Sequence, residues 1–234
     1  MTDQQWVDLN ADLGEGVTDD AALLAVVTSA NVACGYHAGD ADTMRLVCDE
    51  AARLGVTVGA QVSYLDREHF GRLPLDIDPS LLREHVFDQV DTLVGIADAA
   101  GITVAYVKPH GALYSRVVDD EDQARAVLEG SGGLPVLGLP GGALLRLAAE
   151  DGREVWREGF PDRGYTPEGR LVPRGEPGAL VEDEAEVAAN AVRLAASVDS
   201  VCVHGDSPGA VAHARAVRRS LEDAGYGVRA FATP

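Results

Sequence analysis

The sequence has almost no lysine. Lys108 is the one lysine in 234 residues, and the other 18 basic side chains are arginine. Acidic side chains outnumber basic ones 38 to 19, a formal charge of −19, and no basic run occurs anywhere. That balance excludes a nucleic-acid-binding or anionic-membrane-binding protein as the first reading. Three cysteines, Cys34, Cys48 and Cys202, are widely spaced without a CxxC pair, so a disulfide framework is excluded and a reducing compartment expected. No apolar run is long enough to span a membrane. The polar, acidic start Met1-Thr2-Asp3-Gln4-Gln5 lacks the basic and apolar regions of a signal peptide, and the cytoplasm is the expected location. No GxGxxG follows the first strand candidate, which speaks against a dinucleotide. The glycine-rich stretches at 130–133 and 141–142 lack the Lys-Ser/Thr of a phosphate loop, so ATP binding by this chain alone is not expected. HExxH, HxH and Cys/His clusters are also missing, although metal ligands could still come from separate strands.

What is present is an alternation of short Val-rich runs with amphipathic stretches. The pattern predicts strands at 6–10, 31–34, 56–61, 103–108, 135–139, 155–160, 200–204 and 228–232. Helices are predicted near 19–29, 41–54, 79–100, 119–129, 142–150, 182–197 and 209–224. The 79–100 stretch is the clearest, with Leu82, Val86, Val90, Leu93, Val94 and Ala97 on one face. Asp78-Pro79 and Ser207-Pro208 pair an N-cap with proline at the first helical position. No linker divides the chain. Seven or eight β/α units in one α/β domain, residues 1–234, predict a single, distorted (β/α)7-8 barrel, with an open doubly wound sheet as the alternative.

The unusual polar residues follow the strands. Asp12 and Glu15 come after the first, His37 and Asp40 after the second, and Gln61, Asp66 and Arg67 at and after the third. Lys108 and His110 end the fourth, Asp162 and Arg163 follow the sixth, and His204, Asp206 and Ser207 the seventh. In a β/α barrel the C-terminal strand ends form the mouth where chemistry occurs, so these residues are expected to converge on one polar pocket. Each has a structural alternative: Asp12, Glu15, Asp40, Asp206 and Ser207 as turn or cap residues, Asp66 with Arg67 and Asp162 with Arg163 as loop pairs, and His204 as a hydrogen-bonded core histidine. For Lys108 the alternative is a chance survivor of an arginine-biased composition, and its neighbours count against that. Arginine replaces a solvated lysine well but not a compact ammonium, and Lys108 sits between an apolar run and Pro109-His110-Gly111.

Six segments, in this order, resemble the LamB/YcsF family: Asp8 to Glu15, Asn31 to Asp40, Asp66 to Arg72, Val107 to Tyr114, Leu171 to Arg174, and Val203 to Ala210. The resemblance runs over nearly the whole chain. It implies a distorted β/α barrel related to metal-dependent carbohydrate deacetylases. It also implies ATP-dependent hydrolytic opening of 5-oxoproline (pyroglutamate) to L-glutamate, carried out with 5-oxoprolinase subunits B and C, which handle ATP. Carried over by position, Asp12, His37, Lys108, His110 and His204 line the pocket. In the mechanism this suggests, Asp12 or His37 is the general base on water, while Lys108 and His110 stabilise developing negative charge. Glu15, Asp40, Gln61, Arg67, Tyr114, Arg174, His204 and Asp206 are expected to contact the lactam, Arg67 or Arg174 gripping a carboxylate bidentately. Members usually read Gly-Ala-His-Pro-Ser-Tyr-Pro-Asp at the third strand, whereas this chain reads Gly59-Ala60-Gln61-Val62-Ser63-Tyr64-Leu65-Asp66. With an amide at Gln61 in place of imidazole, little or no bound transition metal is expected. Three other readings stand beside this one: a stand-alone metal-dependent amide hydrolase or deacetylase, an aldolase using Lys108 as a Schiff base, and a non-catalytic binding subunit.

Overall fold

Seven parallel strands close on themselves in the computed structural model, which describes residues 5–205 and 209–232. They are β1 (Trp6–Leu13), β2 (Ser29–Ala33), β3 (Thr57–Val62), β4 (Val104–Pro109), β5 (Val136–Gly138), β6 (Val155–Gly159) and β7 (Ser200–Val203). Each pairs with the next, and β1 closes the ring between β7 and β2. The helices around them are α1 (Asp20–Leu24), α2 (Ala41–Leu54), α3 (Pro79–Ala99), α4 (Gly111–Arg116), α5 (Glu121–Gly130), α6 (Ala143–Glu150), α7 (Glu184–Ala195) and α8 (Ala210–Asp223). A two-residue strand, β8 (Gly227–Val228), pairs with Trp6 and Val7 outside the ring.

Strand periodicity sorts the residues of β1 by face. Val7, Leu9, Ala11 and Leu13 belong to the apolar layer shared with the helices, while Asp8, Asn10 and Asp12 share the other face and are fully or nearly fully buried. The barrel interior is therefore polar and its jacket apolar. Gly59 belongs to this design: a Cβ there would lie 2.2 Å from the Tyr106 ring, so glycine makes room for that side chain. At the N-terminal end, Tyr106 and Trp156 pack on Phe231, with centroids 4.8 and 5.3 Å away. This aromatic plug covers the bottom and leaves the C-terminal strand ends as the mouth.

The architecture agrees with the barrel expected from the sequence, and three element expectations are corrected. The helix predicted over 19–29 stops at Leu24, because Ser29 already belongs to β2, where its hydroxyl donates to Asp8 Oδ1 at 2.6 Å. The strand predicted over 228–232 ends at Val228, and the following residues form the plug. Helix α4 has no counterpart among the predicted helices; it starts directly after Pro109-His110, without a side-chain cap.

Candidate active site

Lys108 sits at the floor of the mouth, 2 % exposed. Its ammonium is 2.7 Å from Glu158 Oε1 and 3.1 Å from Asp12 Oδ1, and it donates to Cys202 Sγ at 3.2 Å. Amides close these contacts into a ring. Asn10 Nδ2 donates to Glu158 Oε1 at 3.1 Å, Asn31 Nδ2 donates to Asn10 Oδ1 at 2.7 Å, and the same amide donates to Asp12 Oδ1 at 2.9 Å. Burial works to lower the Lys108 pKa, but the charges of Asp12 and Glu158 outweigh it and hold the ammonium well above the ordinary lysine value. Burial likewise works to raise Asp12, and the charge of Lys108, foremost, with that of His204, reverses this and holds its carboxyl below the usual range. Such a lysine is a fixed charge, unsuited to the free-amine chemistry of a Schiff base.

Beside this ring lies a second buried cluster. His37 and His110 stack with centroids 4.0 Å apart and planes within 14°. Glu15 Oε1 lies 3.4 Å from His37 Nε2 and 3.6 Å from His110 Nδ1. Gln61 Nε2 donates to Glu15 Oε1 at 3.1 Å and contacts His110 Nδ1 at 2.9 Å. His110 Nε2 is 3.1 Å from the Phe70 carbonyl, which can only accept, so Nε2 carries the hydrogen. Burial, with the charge of His37, holds His110 well below the usual histidine value. It is therefore neutral at pH 7, with a bare Nδ1 that lies 3.9 Å from Asp12 Oδ2. Burial also raises the Glu15 carboxyl, against the hydrogen bond from His37.

The carbonyl that orients His110 comes from an unusual backbone. Phe70 has φ 58°, in the left-handed region that non-glycine residues avoid. Gly71 follows at φ 68°, where a Cβ would lie 2.3 Å from Ser63 Oγ and 2.9 Å from His37 Cβ. The Phe70 ring stands edge-on to both His37 and His110, at 5.6 Å from each. This tight turn thus fixes the tautomer of one histidine and the position of both.

Above these groups opens a cavity of about 490 Å³, lined among others by Asp12, Lys108, His110, Tyr114, Phe160 and His204. His204 stacks on Phe160 at 5.1 Å, and its Nδ1 is held by Asp162 Oδ2 at 2.8 Å, leaving Nε2 for the cavity. Four arginines, Arg72, Arg116, Arg163 and Arg174, also line it, a basic rim on a strongly acidic chain. Arg163 holds the wall together, donating to Ala179 O at 3.0 Å and Val172 O at 2.6 Å. Arg72 lies over Phe70, 5.0 Å from the ring centroid.

The structure gathers Asp12, Glu15, His37, Gln61, Lys108, His110, Tyr114, Arg174 and His204 at this mouth. It places two expected residues elsewhere. Asp40 is exposed and caps α2, accepting from Thr43 N at 2.8 Å and Thr43 Oγ1 at 2.9 Å. Arg67 donates to the carbonyls of Gly35 and Gly39 at 2.6 and 2.7 Å and so clamps the loop that carries His37, instead of reaching the cavity. Asp206 and Ser207 lie outside the described residues. Glu158, Arg72 and Arg116 join the site without having been singled out by the sequence. Asp162 and Arg163 do not pair with each other as a loop pair; one orients His204 and the other braces the wall. The alternation within β6 could have exposed Glu158, once the inward face of the strand was known.

Glu15, His37 and His110 bring potential metal-ligand atoms within 4.8 Å of one another. Their arrangement does not fit a metal ion. The Gln61 amide already donates to Glu15 and contacts the bare nitrogen of His110, and the two stacked rings hold their lone pairs in separate, nearly parallel planes. Metal–nitrogen bonds of about 2.0–2.1 Å need lone pairs that converge.

Fold and site together define a single-domain β/α barrel with a polar, acid–base pocket at its mouth. The chain belongs to the LamB/YcsF family, whose model matches residues 7–234. It is 56% identical to the A subunit of 5-oxoprolinase from Streptomyces griseus, over 97% of this chain and 100% of that one. It is 50% identical to the protein of the same name from Mycobacterium avium, over 96% and 98%. A crystal structure of a lactam utilization protein from Thermus thermophilus superposes with a TM-score of 0.90 at 36% identity, covering 97% of this chain and 100% of that one. A family 4 carbohydrate esterase from Streptomyces lividans shares the fold, with a TM-score of 0.56 at 12% identity over 96% of this chain and 91% of that one.

Proposed function

We propose that this chain is the ring-opening subunit of an ATP-dependent 5-oxoprolinase, hydrolysing 5-oxoproline to L-glutamate with subunits B and C. The observation that carries the reading is the pairing of a bare His110 Nδ1 with Asp12 Oδ2, 3.9 Å apart, on the floor of an arginine-rimmed cavity. A water that takes the place of the Gln61 amide on His110 Nδ1 and bridges it to Asp12 Oδ2 adds to the lactam carbonyl carbon, and its proton passes to His110. The base role falls on His110 backed by Asp12, because His110 lines the cavity while His37 does not, and the Asp12 carboxylate is engaged by Lys108. The carbonyl oxygen gathers charge beside Lys108. Of the three ammonium hydrogens, the one on Cys202 sulfur, a weak acceptor, is the one a substrate oxygen displaces. When the carbon–nitrogen bond breaks, the proton that His110 took from water passes to the leaving nitrogen, and His204, whose Nδ1 hydrogen is held by Asp162, accepts the lactam N–H at Nε2. Arg174 and Arg72 are placed to take the substrate carboxylate.

The lactam is a stable amide, and coupling to ATP drives its opening. This chain carries no phosphate loop, so nucleotide binding and activation of the substrate fall to the B and C partners. Two names support this division of labour: the Streptomyces relative is called a subunit, and the Thermus protein is named for lactam utilization. The test is reconstitution. Glutamate release from 5-oxoproline and ATP is expected from the three subunits together and not from this chain alone; ring opening by the isolated chain would count against it.

A further inference from the structure

Glu158 has no part in the chemistry just described, yet it is the closest partner of the one lysine in the chain. It lies on β6, it is 0 % exposed, and its Oε1 contacts Lys108 at 2.7 Å, nearer than Asp12 at 3.1 Å. The same oxygen accepts from Asn10 Nδ2, whose second hydrogen goes to Ser200 Oγ at 2.6 Å. Asn31 likewise spends both amide hydrogens, one on Asn10 and one on Asp12, and its own oxygen accepts from Tyr106 OH at 2.7 Å. Each donor in the ring is therefore used, and neither amide can turn without breaking two bonds. This ring joins β1, β2, β4 and β6 across the barrel axis, and the ammonium is the only cation in it.

A carboxylate taken out of water is costly unless it is paired and hydrogen-bonded. Asp12 alone would neutralise Lys108. A second buried carboxylate gives up solvation without being needed for charge balance, so its presence calls for a geometric reason. An ammonium held by Asp12 alone could swing about that contact. Held from β1 and β6 at once, its third hydrogen has one direction left, now taken by the Cys202 sulfur.

We propose that Glu158 is a positioning residue: with Asp12 it fixes the Lys108 ammonium so that its third hydrogen meets the substrate carbonyl oxygen. The proposal rests on the ring-opening reading for its kinetic consequence, and on the hydrogen-bonded ring alone for its structural one. The groups that face the ammonium are Asp12, Glu158 and Cys202, with Tyr106 on its own strand and the Phe160 ring 5.3 Å away.

Because Lys108 is the one lysine, protein grown with lysine labelled ¹³C at Cε and ¹⁵N at Nζ gives a single side-chain signal. In the parent that signal is expected to be a slowly exchanging ammonium at pH 7 and to stay protonated beyond the ordinary lysine midpoint of about 10.4. In Glu158→Gln the ammonium cross-peak is expected to broaden by faster exchange and the midpoint to fall by at least about one pH unit. With B and C added, kcat is expected to fall by about 10²-fold with little change in KM. Glu158→Asp, which keeps the charge but withdraws the oxygen, should shift the Lys108 signal and recover part of the turnover, and it serves if the glutamine variant does not fold. A parent lysine that titrates at the ordinary value overturns the proposal, as does a lysine signal unchanged in both variants. The spectroscopic result stands even if the reconstituted mixture shows no ring opening, which would count against the functional reading instead.

Discussion

At the scale of single residues, the site works by holding each group in one protonation state and one direction. Lys108→Arg should lower glutamate release by about 10²–10³-fold, because a planar guanidinium cannot fill a tetrahedral position between Asp12, Glu158 and Cys202. Near-parental turnover in that variant would reduce Lys108 to a structural role. The lowered pKa of His110 gives a pH prediction with a definite sign. A base must be unprotonated to act, and a base held below 6.5 stays so through the neutral range. The rate should therefore be level from pH 8 to 6.5 and fall only in more acid solution. An acid limb centred at or above 6.5 contradicts the assignment. Gln61→His should create what the present geometry lacks. A third imidazole replaces the donating amide, and zinc affinity measured by calorimetry should rise; an unchanged affinity shows that the stacked rings alone prevent binding. Much of this residue set was legible in the sequence, because Asp12, His37, Lys108 and His110 all follow strand candidates. Asp40 and Arg67 follow strands too. Their side chains are directed by an N-cap and by two loop carbonyls, and no strand pattern announces such details.

At the scale of elements, the polar stripe of β1 sets a condition on folding. Asp8 is buried among Thr28, Ser29 and Ser200, all donating to it, and burial still pushes its pKa up to about 6. Its folded-state value lies above the unfolded one, so its contribution to stability is present at low pH and is lost as the pH rises through 6. Asp8→Asn removes that titration. The parent should lose roughly 1 to 1.5 kcal/mol relative to the variant between pH 5 and 7.5, read from urea melts at the two values. Equal differences at both pH values would mean that Asp8 is charged throughout. The strands and most helices were readable from Val-rich runs and caps, since local periodicity carries that information. Helix α4 and the end of the chain were not. Six helical residues after a proline leave too short a period to detect, and the run after Val228 is apolar because it plugs the barrel and not because it pairs in a sheet.

At the scale of the whole molecule, closure of the ring decides what the sequence could only suggest. Asp12 and Glu158, far apart in the chain, meet on one lysine because β1 and β6 both face the barrel axis. That long-range pairing is why Glu158 was illegible, whereas the barrel itself followed from counting β/α units. On a chain of net charge −19, four arginines gather at the mouth, as the proposed reaction of an anionic lactam requires. The central claim is that ring opening takes place in this chain, with ATP handled by its partners. It is tested most directly by mixing subunits B and C with either the parent chain or Lys108→Arg and following ADP and glutamate in the same sample. The account predicts that the parent mixture releases glutamate and that the variant mixture loses glutamate release while nucleotide hydrolysis remains. Glutamate release at the parental rate from the Lys108→Arg mixture would contradict it and place the chemistry on another subunit.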